Sequence, residues 1–193
     1  MKNLVAELRA SIAATLLLAV LCCGIYPAVV WAVAQGLFSH KANGSLVRVD
    51  GKVAGSSLLA QGFTGSNYFH PRPSAAGHGY DAAGSSGTNL GPTSKKLIES
   101  VKERVDAYRA ENGLPPDARV PADAVTSSAS GLDPHISVLN AALQAKRVAA
   151  ARGMTKMDLL KKIRAHTEGR TLGIFGEPRV NVLMLNLDLD GKM

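Results

Sequence analysis

The chain has 193 residues, 22 Lys+Arg against 15 Asp+Glu for a net charge of +7, and 46% hydrophobic residues, room for one ordinary domain and an appendage. The basic residues do not alternate with aromatics and no nucleic-acid reading motif occurs, which excludes a nucleic-acid partner. The only two cysteines are Cys22 and Cys23, so the chain beyond residue 39 has neither a disulfide framework nor a cysteine metal site.

The first element is announced by charge. From Ala10 to Ser39 there is no Asp, Glu, Lys, Arg or His, and most of the run is apolar. A membrane-spanning helix needs about 20 such residues. A cleaved secretory signal has an apolar centre of roughly 7–15 residues before a small-x-small site. Ala32-Val33-Ala34 offers that site, but the apolar centre is too long. A lipoprotein signal is also disfavoured, because Leu21 precedes Cys22 and Cys22 precedes Cys23. The run is expected to be a retained helix over residues 10–38, with Pro27 removing one hydrogen bond inside it. Lys2 and Arg9 before it are matched by Lys41, Arg48 and Lys52 after it, so charge alone does not set orientation. The short basic lead resembles a signal anchor, with residues 1–9 cytoplasmic and 39–193 outside. Lys2, Glu7 and Arg9 precede the run, so the rest carries 20 basic against 14 acidic groups, a surplus of +6.

Past Ser39, Asn43-Gly44 and Asp50-Gly51 between short apolar runs predict two or three strands from Ser45 to Leu59. Residues 61–94 are rich in Gly, Ser, Asn and Pro and show almost no helical period. Phe63, Tyr68, Phe69 and Tyr80 within them argue against plain disorder. The spacing of Leu97, Ile98, Val101, Val105 and Tyr108 predicts a helix ending at Asn112-Gly113. Val120–Val125 is ambiguous, and "TSSASGLDPHIS" is a second polar loop. Asp133-Pro134 or Ser137 can start a helix over Val138–Arg152 that stops at Gly153. Thr155 and Asp158 start a third helix, with Met157, Leu160 and Ile163 inward. "RVNVLMLNLDLD" reads as a closing strand. The expected class is α+β: one N-terminal transmembrane helix, then a single extracytoplasmic domain of mixed helices and strands.

Three chemistries can be weighed on the loops. A phosphate loop needs Gly, four residues and Gly-Lys-Ser/Thr, but Gly91 is followed by Pro92, which has no N–H to give. His70, His78 and Asp81 lack the tight spacing of a zinc pair, so no metal is expected. No G-x-S-x-G elbow occurs, though a membrane-anchored periplasmic hydrolase using Asp133 and His135 remains an alternative. What is left is backbone and aromatic contact with another protein. Phe63, Tyr68, Phe69, Tyr80, Asn89 and Pro92 are the docking candidates, or else the loop folds over its own sheet.

Several strings carry a resemblance. They are "ANGS" (42–45), "GSSLLAQGFT" (55–64), "YFHPRPSA" (68–75), "GSSGTNLGPTSKKL" (84–97), "VTSSASGLDPHIS" (125–137), "RVAAARG" (147–153), "HTEGR" (166–170) and "GEPRVNVLMLNLDLD" (176–190). In that order, and with one N-terminal span, they resemble the C subunit of the bacterial high-affinity Kdp potassium-transporting P-type ATPase. The resemblance implies a single-pass inner-membrane protein whose bulk is periplasmic. It implies assembly with a potassium-channel-like subunit, a P-type ATP-hydrolysing subunit and a very small stabilising peptide. It also implies an accessory and assembly role, as a catalytic chaperone that raises the pump subunit's ATP affinity. The chain has no D-K-T-G phosphorylation string, so ATP hydrolysis is expected of a partner and no cofactor of its own. In the family a glutamine ahead of "RVAxAR" is linked to nucleotide binding, which maps to Gln144. The chain departs from the family pattern nearby, with Ala145-Lys146 where x-Pro is usual and Val138 where Pro often follows the serine.

Overall fold

The computed structural model describes residues 2–192, with the backbone alone at Lys2. The chain divides into two units, Met1–Ser45 and Leu46–Met193.

The first unit is helical. α1 (Lys2–Ala19) passes through a π-helical segment (Val20–Ile25) into α2 (Tyr26–Ala42). From Asn3 to Ala42 it is long and apolar enough to cross a membrane. The missing donor of Pro27 is absorbed just upstream of it. The Tyr26 N–H donates to the Leu21 carbonyl, five residues back, as a π turn requires. α2 also bends near its end, where Phe38 leaves helical geometry (φ −135°, ψ 34°).

The second unit opens with an antiparallel hairpin, β1 (Leu46–Val49) and β2 (Lys52–Ser56). Asp50 and Gly51 both have positive φ (50° and 78°), the geometry of a two-residue type I′ turn. No helix or strand follows until α3 (Lys95–Asn112), capped by the Ser94 side chain and closed by Gly113 at φ 60°. Ile98, expected inward, is exposed, while Tyr108 is buried. The ambiguous 120–125 stretch is a one-turn helix, α4 (Ala122–Val125). β3 (His135–Ser137) leads into α5 (Val138–Arg152), capped by Ser137 and closed by Gly153. α6 (Lys156–Ala165) is capped by Thr155. Its buried residues are Leu159 and Ile163, and Met157 points to solvent instead. Position 157 lies in the first turn, ahead of the stripe that meets α5.

β4 (Thr167–Glu168) and β5 (Arg179–Asn181) pair with β3 in an antiparallel sheet ordered β3-β5-β4. The expected closing strand is therefore only its first three residues. From Val182 the chain becomes α7 (Val182–Leu189), with the Asn181 side chain accepting from the Met184 N–H. The apolar run misleads because α7 is buried at Val182, Leu183, Leu185, Asn186 and Leu187. A helix covered on most sides shows no polar stripe, so its sequence lacks the period of 3.6 that betrays an amphipathic helix.

The main core joins β3, α5, α6, β5 and α7 to one loop residue, and includes Ile136, Val148, Leu159, Val180, Leu185 and Phe69. A smaller cluster of Tyr108, Ala124 and Val125 ties α3 to α4. The unit mixes helices and strands as expected. Leu185 is fully buried, so Leu185→Ala should cost about 3 kcal/mol. Thermal melts of the detergent-solubilised chain should show the midpoint several degrees lower, whereas Met157→Ala should leave it within about a degree.

Candidate interaction site

The irregular segment from Gln61 to Ser94 is fixed by side chains in place of secondary structure. Five consecutive carbonyls, Ser66 to His70, each accept from a side chain of α5 or α7. Arg147 donates to Ser66 (2.8 Å) and Tyr68 (3.0 Å), and Arg152 donates to Asn67 (2.6 Å). Asn186 holds Phe69 on both sides: its amide donates to the Phe69 carbonyl and its oxygen accepts from the Phe69 N–H, each at 2.9 Å. Gln144 does the same for His70, its amide donating to the carbonyl at 3.1 Å and its oxygen accepting from the N–H at 2.7 Å. A carboxamide thus plays the part of a neighbouring strand, satisfying a backbone with no ladder.

The braces are themselves braced. Gln144 is 1% exposed, and it also donates to Asn140 (2.9 Å) and accepts from Arg147 (3.0 Å). Both its amide hydrogens and both oxygen lone pairs are thereby engaged. Arg152 bonds Asp190 at 2.8 Å and lies 5.0 Å over the Tyr68 ring, whose hydroxyl donates to Asp190 at 3.0 Å.

The other half of the segment folds against the 126–134 loop. Tyr80 donates its hydroxyl to the Arg72 carbonyl (2.9 Å), and Ser74 donates to the Gly131 carbonyl (2.6 Å). Burial pushes the Tyr80 hydroxyl pKa up, with Arg104 opposing. Gly131 has φ +68°, and a Cβ there would lie 2.6 Å from the Ser86 carbonyl oxygen, so the two loops approach closer than any side chain permits. Arg72 bonds Asp133 at 3.0 Å, and Asp133 also accepts from the His135 N–H at 3.0 Å. Burial pushes the Asp133 carboxyl up, but the bonds from His135 and Arg72 outweigh it and hold it below the usual carboxylate range.

Between loop, α3 and α5 lies a cleft of about 240 Å³ lined by His70, Tyr80, Arg104, Tyr108, Glu111 and Gln144, among others. The His70 ring spans its edge, Nδ1 2.9 Å from Glu111 and Nε2 3.0 Å from the Gly65 carbonyl. Tyr108 donates to Asn140 at 2.8 Å, and burial, with Asp123 nearby, pushes its hydroxyl pKa far up. Such a cleft is below the roughly 300–1,000 Å³ of ordinary ligand pockets.

The candidate residues fall into two groups. Phe69 is completely buried, Tyr68 and Tyr80 are half-buried with their hydroxyls bonded inward, and Phe63 packs on the core. Asn89, in the left-handed region at φ 53°, and Pro92 are exposed. His135 lies 3.4 Å from Asp133 and 3.5 Å from Glu168, so both ring nitrogens face carboxylates. Among the described residues, no three His, Cys, Asp or Glu side chains gather as a metal site. Sequence reasoning missed Asn186, Arg147 and Arg152. A lone Asn inside "VLMLNLDL" was the available signal, since a polar group in an apolar run must find a partner.

Gln144→Leu should leave both His70 backbone groups unpaired and cost about 2–4 kcal/mol, seen as faster proteolysis within residues 63–80. Acid should act through the depressed carboxylates. Asp188 is held low by a hydrogen bond from Lys162, with burial opposing and His166 assisting, and Asp133 is held low as above. A folded-state pKa below the ordinary ~3.9 contributes stability that is present above pH ~4 and lost as pH falls below it. Melting temperature should hold from pH 7 to about 4 and then drop. Asp188→Asn should melt lower at pH 7 and converge with wild type in acid.

Comparison with known proteins follows the same lines. A family described as "KdpC: K+-transporting ATPase, c chain" matches residues 8–191. A "Potassium-transporting ATPase KdpC subunit" of Nitratidesulfovibrio vulgaris is 58% identical over 185 residues, covering 94% of this chain and 92% of that one. The protein of the same description from Mycobacterium tuberculosis is 58% identical over 166 residues, 86% and 88% of the two chains. That from Koribacter versatilis is 50% identical over 191 residues, 98% and 95%. The long apolar helix, the mixed unit behind it and the end-to-end match agree, and the chain belongs to the KdpC family, the c chain of the K+-transporting ATPase.

Proposed function

We propose that this chain is a membrane-anchored accessory subunit of an ATP-driven potassium importer, and that it works by holding partners rather than by a reaction of its own. The observation that carries this is the saturation of the site. Gln144, Arg147 and Arg152 are committed to the backbone of residues 66–70, Tyr80 and Tyr108 bond Arg72 and Asn140, and the cleft beside them is about 240 Å³. The proposed layout is a cytoplasmic tail at 1–9, a span at 10–38 within the longer helix, and a periplasmic unit from 39 to 193 in the bacterial inner membrane. The partners are the bilayer, a potassium-channel-like subunit, a P-type ATP-hydrolysing subunit and a small stabilising peptide. Asn89 and Pro92, the outward-facing members of the candidate set, are docking positions, while Phe63, Tyr68, Phe69 and Tyr80 give the loop its shape.

Gln144 enters the proposal as a strut. Its hydrogen-bonding capacity is taken up by His70, Asn140 and Arg147, so its link to nucleotide runs through the loop. A loop held in one shape favours the assembled complex, and a shift in that population changes the pump subunit's apparent ATP affinity without contact. The hydrolase reading has less to stand on, because Asp133 is spent on Arg72 and a turn.

Three measurements test this. Membrane-impermeant maleimide on Ser85→Cys should label intact spheroplasts; labelling only after lysis reverses the orientation. The chain purified alone should neither turn over ATP nor be photolabelled by azido-ATP, and specific labelling that ATP competes away would restore direct contact. In the whole complex, Gln144→Leu should raise the KM for ATP several-fold and lower subunit recovery in parallel; a KM change with full recovery contradicts the strut.

A further inference from the structure

Of the five histidines, His70 is the one whose two ring nitrogens both lie within 3.0 Å of an oxygen among the described residues. Nδ1 is 2.9 Å from Glu111 on α3, and Nε2 is 3.0 Å from the Gly65 carbonyl. His135 stands 3.4 Å and 3.5 Å from its two carboxylates, beyond the usual hydrogen-bond range. His166 engages Asp188 through Nε2 alone, at 3.0 Å. A carbonyl oxygen only accepts, and so does an ionised carboxylate. A neutral imidazole has a single N–H, so it serves one of the two oxygens and turns a lone pair on the other. The imidazolium serves both. Placing the proton on Glu111 instead gives the same total, so the closed arrangement holds one proton more than a neutral ring beside a carboxylate.

Apart from Ser94, which caps α3, His70–Glu111 is the bond that ties the 61–94 segment directly to α3 among the described residues. It closes one edge of the 240 Å³ cleft. α3 is held to α4 and α5 by Tyr108 on Asn140, Arg104 on the Val125 carbonyl and Arg147 on Asn112. Glu111 is not stranded when the ring lets go, because Arg147 lies 3.8 Å from the same carboxylate oxygen. The other titratable and charged groups around the ring are Tyr80 from the loop, Arg104 and Tyr108 from α3, and Arg147 from α5. Asp123 on α4 stands behind Tyr108 and is taken up by Ser137 and Asn140. Burial pushes both tyrosine hydroxyls up, and arginine keeps its charge. The His70–Glu111 pair is the part of this cleft able to change charge between about pH 5 and 8, where histidine works as a switch.

We propose that His70 and Glu111 form a proton-operated latch. The charged ring clasps the loop to α3, and loss of one proton releases the clasp. The extra proton is bound only in the closed form, so closure is favoured as pH falls and lost as pH rises. The loop that Gln144 braces is thus held tighter in acidic than in alkaline surroundings. The latch belongs to the chain itself, while its effect on the pump subunit's apparent ATP affinity rests on the accessory-subunit reading.

Hydrogen–deuterium exchange of the full chain in detergent, corrected for the intrinsic effect of pH, is followed in peptides spanning 63–72 and 104–113. Both should exchange several-fold faster at about pH 8.5 than at about pH 6, and His70→Gln and Glu111→Gln should show no such difference. A wild-type chain without the difference, or a Glu111→Gln chain that keeps it, overturns the latch. Nitrogen NMR of the histidine rings needs no stable variant beyond the one that assigns His70. Both His70 ring nitrogens should be protonated at about pH 6, and one bare nitrogen there overturns the latch. In the whole complex, the KM for ATP of wild type relative to Glu111→Gln should rise several-fold over the same pH range. A constant ratio in an assembled complex removes the latch from the pump's regulation. A chain whose latch titrates but which brings down no other subunit strikes the accessory-subunit reading and leaves the latch standing.

Discussion

Two carboxamides, Gln144 and Asn186, hold the backbone of two consecutive residues. Each gives one donor and one acceptor to a peptide group that no strand pairs. With Arg147 and Arg152 beside them, they satisfy the backbone of an irregular segment as a neighbouring strand would. That constraint sets the rest of the unit. It brings Phe69 into the main core, seats His70 against Glu111 on α3, and lays the glycine-rich stretch over the 126–134 loop. Without it the segment would keep its backbone in water, and α5 and α7 would each face it with unpaired buried amides, at a cost of about 1–3 kcal/mol per group.

The same constraint occupies much of the polar chemistry that gathers at the site. His, Tyr, Arg, Asp and Gln converge there, which ordinarily marks a reaction centre. Here their polar atoms are turned on the fold itself. Burial raises the pKa of the Tyr80 and Tyr108 hydroxyls, and Asp133 is tied to Arg72 and to a turn.

At the β4–β5 tip, beside a short cross-strand bridge and two surface ion pairs, three apolar side chains stand in water. The glycine-rich loop turns its aromatics inward, and the hairpin turns its apolar groups outward. The division of labour between the two parts of the unit is thus one of packing direction, not composition.

The sequence by itself determined the apolar N-terminal helix, the Asp50-Gly51 hairpin, the capped start of α5 and the glycine stops of α3 and α5. Each rests on local rules: absence of charge, positive φ in a two-residue turn, a serine side chain reaching an unpaired N–H. Eight ordered strings also fixed the family. Tertiary structure alone decided that 182–189 is helical, because burial on most sides erases the periodicity that separates helix from strand. It alone decided that Phe69 points in and Phe175 points out, since both are aromatics in glycine-rich stretches and only the position of α5, α6 and α7 distinguishes them. And it alone showed Gln144 as a strut: the partners that use up its hydrogen bonds include His70, 74 residues earlier in the chain, a distance over which no local pattern carries information.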